Sequence, residues 1–383
     1  MLPASGEQFT APLGQEFNMN KSKMFCNQCS QHTTNCATVL GQCNKTPQVA
    51  HMQDEVVQIA VEMGYYAHTI RVAGMEVPAE VNHFMLRSMF STLTNVNNDP
   101  VRMSEYVRTG MSLVEKLKSI AGDVPKPALP PVSILAQRWM AADKNAASVC
   151  EMLMYGLKGL CAYADHALVL GREDPRIYAF VQEALAFLAS PARDDLGQAL
   201  AMCLRCGEAN LWTMELLYEA NTASLGTPEP TKVQVRPVPG KCVLVSGHDL
   251  HVLEGLLAAC EPRGVKVYTH GEMLPGHAYP RLKAYASLAG HFGGAWNKQA
   301  VEFRHFPGPI VMTSNCLTEP QKAYKDSLFT FGPVGWPGVA HLGEEAEAIK
   351  WDKVHPAPCA ANAPRRERRP CRRAAELYQE HVN

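Results

Sequence analysis

The sequence predicts an α + α/β protein, in which helical bundles come first and a parallel-sheet α/β domain follows. Three observations lead to this fold class. Apolar residues recur at helical spacing between Gln48 and Ala220. A proline-rich stretch, Gly226 to Gly240, then ends the helical pattern. After it come short runs rich in valine and isoleucine, which are typical of buried parallel strands.

Length and charge limit the kinds of protein this can be. The chain has 383 residues, enough for two or three domains of roughly 150 residues each. Its formal net charge is -1 and 19% of its residues are charged, so no strong field attracts nucleic acid or a membrane surface. No apolar run is as long as the roughly 20 residues that cross a bilayer, and no targeting segment is visible. We therefore expect a cytoplasmic protein with a small-molecule substrate and neither nucleic acid nor membrane as partner.

The chain divides into four predicted segments. Residues 1–23 are polar and lack periodicity, which predicts a mobile extension. Residues 24–226 are expected to form the helical domain, with the cysteine motif at its start. Residues 227–342 form the predicted α/β domain. Residues 343–383 are rich in arginine and predict a divergent basic tail, because such runs are usually solvated.

Two stripes of apolar residues belong to the predicted helical core. Their members are Ile59, Met63, Tyr66 and Ile70 in one stripe, and Val81, Met85 and Met89 in the other. Each stripe keeps helical spacing, so we expect packing rather than chemistry. The same interpretation covers His166, Cys203 and Cys206 on later helices.

Four cysteines crowd into eighteen residues near the start of the helical domain. Cys26, Cys29, Cys36 and Cys43 have the spacing C-x2-C-x6-C-x6-C. In a chain with 13 cysteines and no secretion signal, this crowding favours metal or cluster binding over disulfides. A C-x2-C pair lets two sulfurs reach neighbouring corners of one iron–sulfur cluster. Structural zinc sites usually pair two C-x2-C units, so the spacing favours a cluster, with zinc and buried free thiols as the alternatives.

Three predicted strands each end shortly before a side chain of a type that binds metals. The strands are Lys241 to Ser246, Val265 to Thr269 and Pro309 to Thr313, and the side chains are His248, Glu272 and Cys316. Open α/β sheets bind ligands at the carboxyl edge, where these three loops begin. A predicted crossover helix, Asp249 to Cys260, makes the first two strands parallel neighbours. We therefore expect the three side chains to converge, the alternative being that each is an ordinary loop residue.

Six linked segments lie between Met24 and His341: the cysteine run beginning MFCNQC, GLKGLCAYADHALVLG, GHDLHVLEGLL, VYTHGEMLPGHAYPRLK, FPGPIVMTSNC and VGWPGV. Together they resemble the hybrid-cluster protein family, also called prismane proteins or hydroxylamine reductases. The resemblance implies a helical domain followed by Rossmann-like α/β domains. It also implies that Cys26, Cys29, Cys36 and Cys43 hold a simple cluster, and that His248, Glu272 and Cys316 are metal ligands of a hybrid [4Fe-2O-2S] cluster.

The resemblance further implies an activity. Members of this family are iron–sulfur oxidoreductases that convert hydroxylamine, with two electrons and two protons, to ammonia and water. Nitric oxide reduction is an equally admissible chemistry. A redox partner protein would donate the electrons, and the simple cluster would relay them. No catalytic residue is expected beyond the cluster ligands.

Two features depart from the pattern of that family. The interval between the second and third cysteines is short, and we expect a [4Fe-4S] cluster with [2Fe-2S] as the alternative. The family's remaining hybrid-cluster ligands have no visible counterpart, since only Cys359 and Cys371 follow Cys316. The hybrid cluster is therefore expected to be incomplete in this chain. A catalytically incompetent form, keeping an electron-transfer or nitrosative-stress cluster module, is the alternative function, and a relative of carbon monoxide dehydrogenase is a third hypothesis.

Overall fold

The computed structural model describes most of the chain. The described residues are 26–30, 36, 40–127, 129, 143–344, 354 and 357–359. The predicted extension at residues 1–23 and the arginine-rich stretch Arg365 to Arg373 lie outside them.

Six long helices form the first part of the described chain. They are α1 (Pro47–Val72), α2 (Ala79–Ser91), α3 (Pro100–Ala121), α4 (Lys144–Val169), α5 (Pro175–Leu188) and α6 (Leu196–Leu225). Five of them begin after a residue whose side chain accepts a hydrogen bond from a backbone N–H of the first turn: Thr46, Asp99, Asp143, Asp174 and Asp195. Proline follows this cap in α1, α3 and α5, where its missing N–H leaves no bond unmade.

The helices pack around one apolar core. Both predicted stripes, from Ile59 to Ile70 and from Val81 to Met89, face it, and Cys206 packs there too. A Cβ atom on Gly64 would lie 2.3 Å from the Cβ of Leu185. Glycine therefore allows α1 and α5 to approach closely, and the predicted packing role of these residues is confirmed.

The second part is built on a sheet of seven strands in the described residues. The strands are β1 (Gly240–Ser246), β2 (Lys266–His270), β3 (Leu288–His291), β4 (Ile310–Met312), β5 (Leu328–Thr330), β6 (Ala340–His341) and β7 (Ala357–Cys359). The first six are parallel in the order β3-β2-β1-β4-β5-β6. β7, within the predicted basic tail, pairs antiparallel with the start of β1. The predicted fold class is confirmed, and the three predicted strands are β1, β2 and β4.

The strand order creates a crevice at the carboxyl edge. The chain runs outward from β1 to β3, then returns to add β4 on the other side of β1. This reversal between β1 and β4 is the switch point at which doubly wound sheets bind ligands. The described residues of this part have three α-helices, namely α7 (Leu250–Cys260) and the single turns α8 (Pro280–Lys283) and α9 (Gln299–Glu302), and a 3-10 helix, Gly271–Ala278, carries Glu272.

Different helices pack on the two faces of the sheet. Val243 and Val245 pack against α7, whereas Leu244 points to the opposite face. On that opposite face the sheet meets Phe90 of α2 and Ala162 of α4. Because the strands are buried on both faces, they read as continuous apolar runs. The helical part therefore serves as one of the two layers that cover the sheet.

The segment from Asn95 to Asn98 joins the two parts through backbone hydrogen bonds. The Asn98 N–H donates to the Gly335 carbonyl at 2.8 Å, and the Gly335 N–H donates to the Val96 carbonyl at 3.1 Å. The Leu317 N–H donates to the Asn95 carbonyl at 2.9 Å. We call residues 95–98 the joining segment. None of the described helices has the length and apolar character to span a bilayer.

Candidate metal centres

The three predicted ligand residues lie together at the carboxyl edge of the sheet. His248 follows β1, Glu272 follows β2 and Cys316 follows β4. One ligand atom from each lies within 4.8 Å of the others. The His248 Nε2 atom is 3.0 Å from the Glu272 Oε2 atom. We call these residues the three-ligand group.

A glycine allows the loops after β1 and β4 to touch. Gly247 has φ 125°, and a Cβ there would lie 2.5 Å from Thr313 Oγ1 and 2.8 Å from Ser314 N. Any other residue would push the two loops apart. Since His248 is the next residue, the absence of a side chain at Gly247 brings its imidazole toward the β4 loop.

Ser314 orients the imidazole of His248. Its hydroxyl accepts a 2.7 Å hydrogen bond from the His248 backbone N–H and lies 3.3 Å from Nδ1. The Nε2 atom therefore faces Glu272. Histidines that bind metals through one nitrogen usually engage the other in a hydrogen bond that fixes the ring. Ser314 provides such a contact, and the sequence analysis did not single it out.

Cys316 is held in an uncommon backbone conformation. Its φ of 74° is in the left-handed region, which disfavours residues with a side chain. The buried Gln299 holds the loop, because its Nε2 donates to the Cys316 carbonyl while its Oε1 accepts from the Thr318 N–H and hydroxyl. Burial, followed by the charge of Glu272, raises the pKa of the Cys316 thiol to about 12. A metal ion that binds this sulfur displaces that proton.

The base of the Glu272 loop is fixed by a buried imidazole. His270, the last residue of β2, is fully buried, with its Nδ1 atom 3.0 Å from Ser246 Oγ and its Nε2 atom 2.9 Å from Glu302 Oε2. The other oxygen of Glu302 accepts from the Gly294 N–H at 2.9 Å. These bonds tie β2 to β1 just below the loops that carry Glu272 and His248.

The four cysteines of the amino-terminal motif line one cavity. Cys26, Cys29, Cys36 and Cys43 surround a volume of about 370 Å³, which we call the cysteine cavity. The Cys26 N–H donates to the Cys36 carbonyl at 2.9 Å, which closes the loop between them. Burial raises the pKa of the Cys26 thiol, while the charge of Lys45 acts in the opposite direction.

The cysteine cavity lies between the two parts of the protein. Besides the cysteine loop, it is lined by Asn95 of the joining segment and by Trp296, Thr318 and Glu319 of the sheet part. Thr318 is two residues from Cys316, and Gln299 contacts both. The two candidate centres are therefore near neighbours that share the same supporting residues.

Backbone strain coincides with both centres. In the described part of the chain three non-glycine residues have positive φ, and they are Asn44, Asn95 and Cys316. The two asparagines line the cysteine cavity, and the cysteine belongs to the three-ligand group. Strained residues persist where the surrounding structure over-determines them, and they cluster at functional sites.

A family profile decides where this chain belongs. The profile of the Prismane/CO dehydrogenase family matches residues 24–370, nearly the whole chain. The chain belongs to the Prismane/CO dehydrogenase family. Membership implies iron–sulfur cluster binding.

Curated relatives of this chain are named hydroxylamine reductase. The protein from Geobacter metallireducens is 38% identical over 371 residues, covering 90% of this chain and 67% of the relative. Those from Maridesulfovibrio salexigens and Burkholderia ambifaria are 42% and 44% identical, covering 85% and 83% of this chain and 63% and 62% of the relatives. This chain thus spans about two thirds of the length of the relatives that it matches.

The residues around the cysteine cavity fit an iron–sulfur cluster. Among the described side chains, the three-ligand group has ligand atoms within 4.8 Å of one another, and the cysteine motif does not form such a close set. The four thiols instead surround a volume of about 370 Å³. That volume is more than ten times the roughly 30 Å³ share of one water molecule. The cysteine cavity therefore suits a cluster better than a lone ion.

Proposed function

We propose that this chain works as an iron–sulfur oxidoreductase resembling hydroxylamine reductase, taking hydroxylamine, two electrons and two protons to ammonia and water. One observation carries the proposal. An imidazole, a carboxylate and a thiol have ligand atoms within 4.8 Å of one another at the switch point of the sheet. They do so in a chain 38 to 44% identical to proteins named hydroxylamine reductase.

The amino-terminal cysteines are proposed to hold the first cluster. Cys26, Cys29, Cys36 and Cys43 supply four thiolates around one cavity, which supports a [4Fe-4S] cluster, with [2Fe-2S] as the alternative. The cavity is close to the three-ligand group through Thr318 and Gln299. We therefore assign it the role of relaying electrons from a redox partner protein.

The three-ligand group is proposed to hold part of a hybrid [4Fe-2O-2S] cluster. Nitrogen, oxygen and sulfur donors together suit iron in mixed surroundings. When bound, that cluster supplies the electrons and the open iron positions that reduction of an N–O bond requires. His248, held by Ser314, fixes one side of the group. The Glu272 side chain is 57% exposed, so its carboxylate has room to move and admit a small substrate.

A reducing compartment such as the cytoplasm suits this assignment. The structure describes the side chains of eleven cysteines, and all eleven are free thiols. Thiols stay reduced in the cytosol, and cluster ligation needs them in that state. Hydroxylamine is small and polar, consistent with the small-molecule substrate that the names of the relatives indicate.

Anaerobic reconstitution with iron and sulfide tests the proposal. We expect methyl viologen-dependent reduction of hydroxylamine. Loss of a residue that merely hydrogen-bonds to a metal ligand lowers activity about 10 to 100 fold. We expect Cys316→Ala, which removes a ligand itself, to lower the rate by at least that factor. Cys260→Ala is the control, because Cys260 is another free thiol of the sheet part but is buried in the core beside α7. Equal rates for Cys316→Ala and the unmodified chain, or no reduction above the reagent blank, would refute the proposal.

A further inference from the structure

Two buried lysines lie behind the cysteine cavity. Lys45 and Lys158 are each 1% exposed, although lysine is almost never fully buried unless it is paired. Lys45 follows Cys43 by two residues. Lys158 comes from the middle of α4, a helix separated from the cysteine motif by about a hundred residues of sequence. Two segments that are distant in sequence thus place a buried lysine beside the cysteine loop.

Hydrogen bonds tie both lysines to the cysteine loop and to α1. The Lys158 Nζ donates to the backbone carbonyl of Gln28 at 3.3 Å and also to its amide oxygen. Gln28 lies between Cys26 and Cys29, and its Nε2 donates to Asp54. The Lys45 Nζ donates to the amide oxygen of Gln53. The direct partners of both ammonium groups are therefore neutral amides and carbonyls.

The charges in this network do not balance. Two lysines face one acidic side chain, Asp54, whose pKa burial raises to about 7, and the thiols of Cys26 and Cys29 also act on Lys158. Burial, followed by repulsion from Lys45, lowers the pKa of Lys158 to about 7. An apolar side chain of similar size would fill the same space without the cost of desolvating a charge. The retained positive charge indicates that negative charge arrives at the cysteine cavity.

An iron–sulfur cluster would bring that charge. Four thiolates outweigh the positive charge of the iron–sulfide core, and each added electron increases the excess. The net charge of the site and the hydrogen bonds around it set the reduction potential. In a buried site of low dielectric, a nearby cation acts strongly on such a charge.

Resting on the proposed assignment of a cluster to the four cysteines, we propose that Lys45 and Lys158 stabilise the reduced form of that cluster and raise its reduction potential. The step is a one-electron transfer from an external reductant to the cluster. No covalent bond forms or breaks in it, and the lysines act through the charge of their ammonium form. Asp54, the carboxylate of the same network, acts in the opposite direction.

Redox titration of the reconstituted protein, followed by electron paramagnetic resonance, tests this inference. We expect Lys158→Met to make reduction at least tenfold less favourable, which is a fall of 59 mV for a one-electron couple. Lys158→Arg keeps the charge and should keep the potential within a few-fold. Asp54→Asn should raise the potential, because it removes a negative charge, while its amide oxygen can still accept the hydrogen bond from Gln28. Lys116→Met on the surface of α3 is the control and should change nothing.

Iron and sulfide content separates this inference from the assignment of the cluster itself. An unmodified chain that binds no iron and sulfide overturns both. A loaded chain whose potential is the same in Lys158→Met as in the unmodified chain overturns the lysine role and leaves the cysteine ligands standing. If Lys158→Met fails to fold, Lys45→Met decides the matter, and no fall in its potential refutes the proposal.

Discussion

At the scale of single residues, uncharged side chains fix the candidate ligands. Ser314 accepts from the His248 backbone and lies beside its ring, while Gln299 donates to the Cys316 carbonyl. Neither side chain is a ligand, yet both are fully buried. Their hydrogen bonds hold the imidazole and the thiol in place before any metal binds, which reduces the ordering that binding must impose.

Ser314→Ala should weaken metal binding at the three-ligand group by about 10 to 100 fold, because the ring of His248 loses its support. Cobalt(II) titration measures this through the absorption of the cobalt–thiolate bond. A background with Cys26→Ala and Cys29→Ala removes two thiolates of the other centre. Ser327→Ala, at an exposed serine before β5, is the control. An unchanged dissociation constant in Ser314→Ala would show that the ring needs no such contact.

At the scale of elements, the switch point depends on how closely two loops approach. β1 and β4 are neighbours in the sheet although β2 and β3 come between them in the chain. Gly247 is in contact with Thr313 and Ser314, so the loop that carries His248 rests directly on the loop that leads to Cys316. The geometry of the three-ligand group is therefore set by strand order and by one missing side chain.

Gly247→Ala should destabilise the protein by about 3 kcal/mol, since a positive φ costs about 1–3 kcal/mol and overpacking against the β4 loop adds a similar amount. Gly264→Ala is the matched control. Gly264 also has positive φ, at 64°, but a Cβ there meets nothing within 4 Å, so only about 1 kcal/mol should be lost. Urea unfolding compares the two, and equal losses would contradict a contact-based requirement for glycine.

At the scale of the whole molecule, the sheet and the helices share a buried interface. Phe90 and Ala162 of the helices pack on the sheet, and the joining segment adds backbone hydrogen bonds. Unfolding of the sheet therefore exposes the helical part as well. Within the sheet part, His277 and His291 are both buried, and both contact the Thr269 hydroxyl, at 2.7 and 2.9 Å.

Acid should unfold both parts together. Burial lowers the pKa of His277 to about 4 and that of His291 to about 3, with the charge of His270 also acting on His291. The unfolded chain therefore binds more protons below pH 6.5, so stability falls as the pH drops from about 6.5 towards 4, by on the order of 3 kcal/mol for each histidine. Above pH 6.5 these groups give no slope.

Urea midpoints measured between pH 7.5 and pH 4.5 check this expectation. His291→Gln should flatten the pH dependence, because glutamine does not titrate, whereas His305→Gln at an exposed site should leave it as it is. Far-ultraviolet circular dichroism and tryptophan fluorescence should report one transition. A slope that survives in His291→Gln would place the acid sensitivity elsewhere.

The sequence predicts which candidate ligands meet at the sheet edge, but it does not predict the residues that hold them in place. Valine-rich runs and the crossover rule are local signals, and they are sufficient to bring His248, Glu272 and Cys316 to one edge. Lys158 and Gln299 give no such signal. Lys158 contacts the cysteine loop and Gln299 contacts the Cys316 loop, and the sequence pattern around each lysine or glutamine does not show this contact. The domain limits, and the roles of the cysteine motif and the three-ligand group as ligands, stay predictions.

The joining segment has a consequence for how this chain tolerates change in length. Asn95 lines the cysteine cavity, and its carbonyl accepts from Leu317, the residue after Cys316. One added residue between Asn95 and Asn98 would shift both contacts at once, whereas the turns at Gly74 and Gly264, where a Cβ meets nothing within 4 Å, have room for extra residues. An insertion in the joining segment is therefore expected to disturb both candidate centres at once.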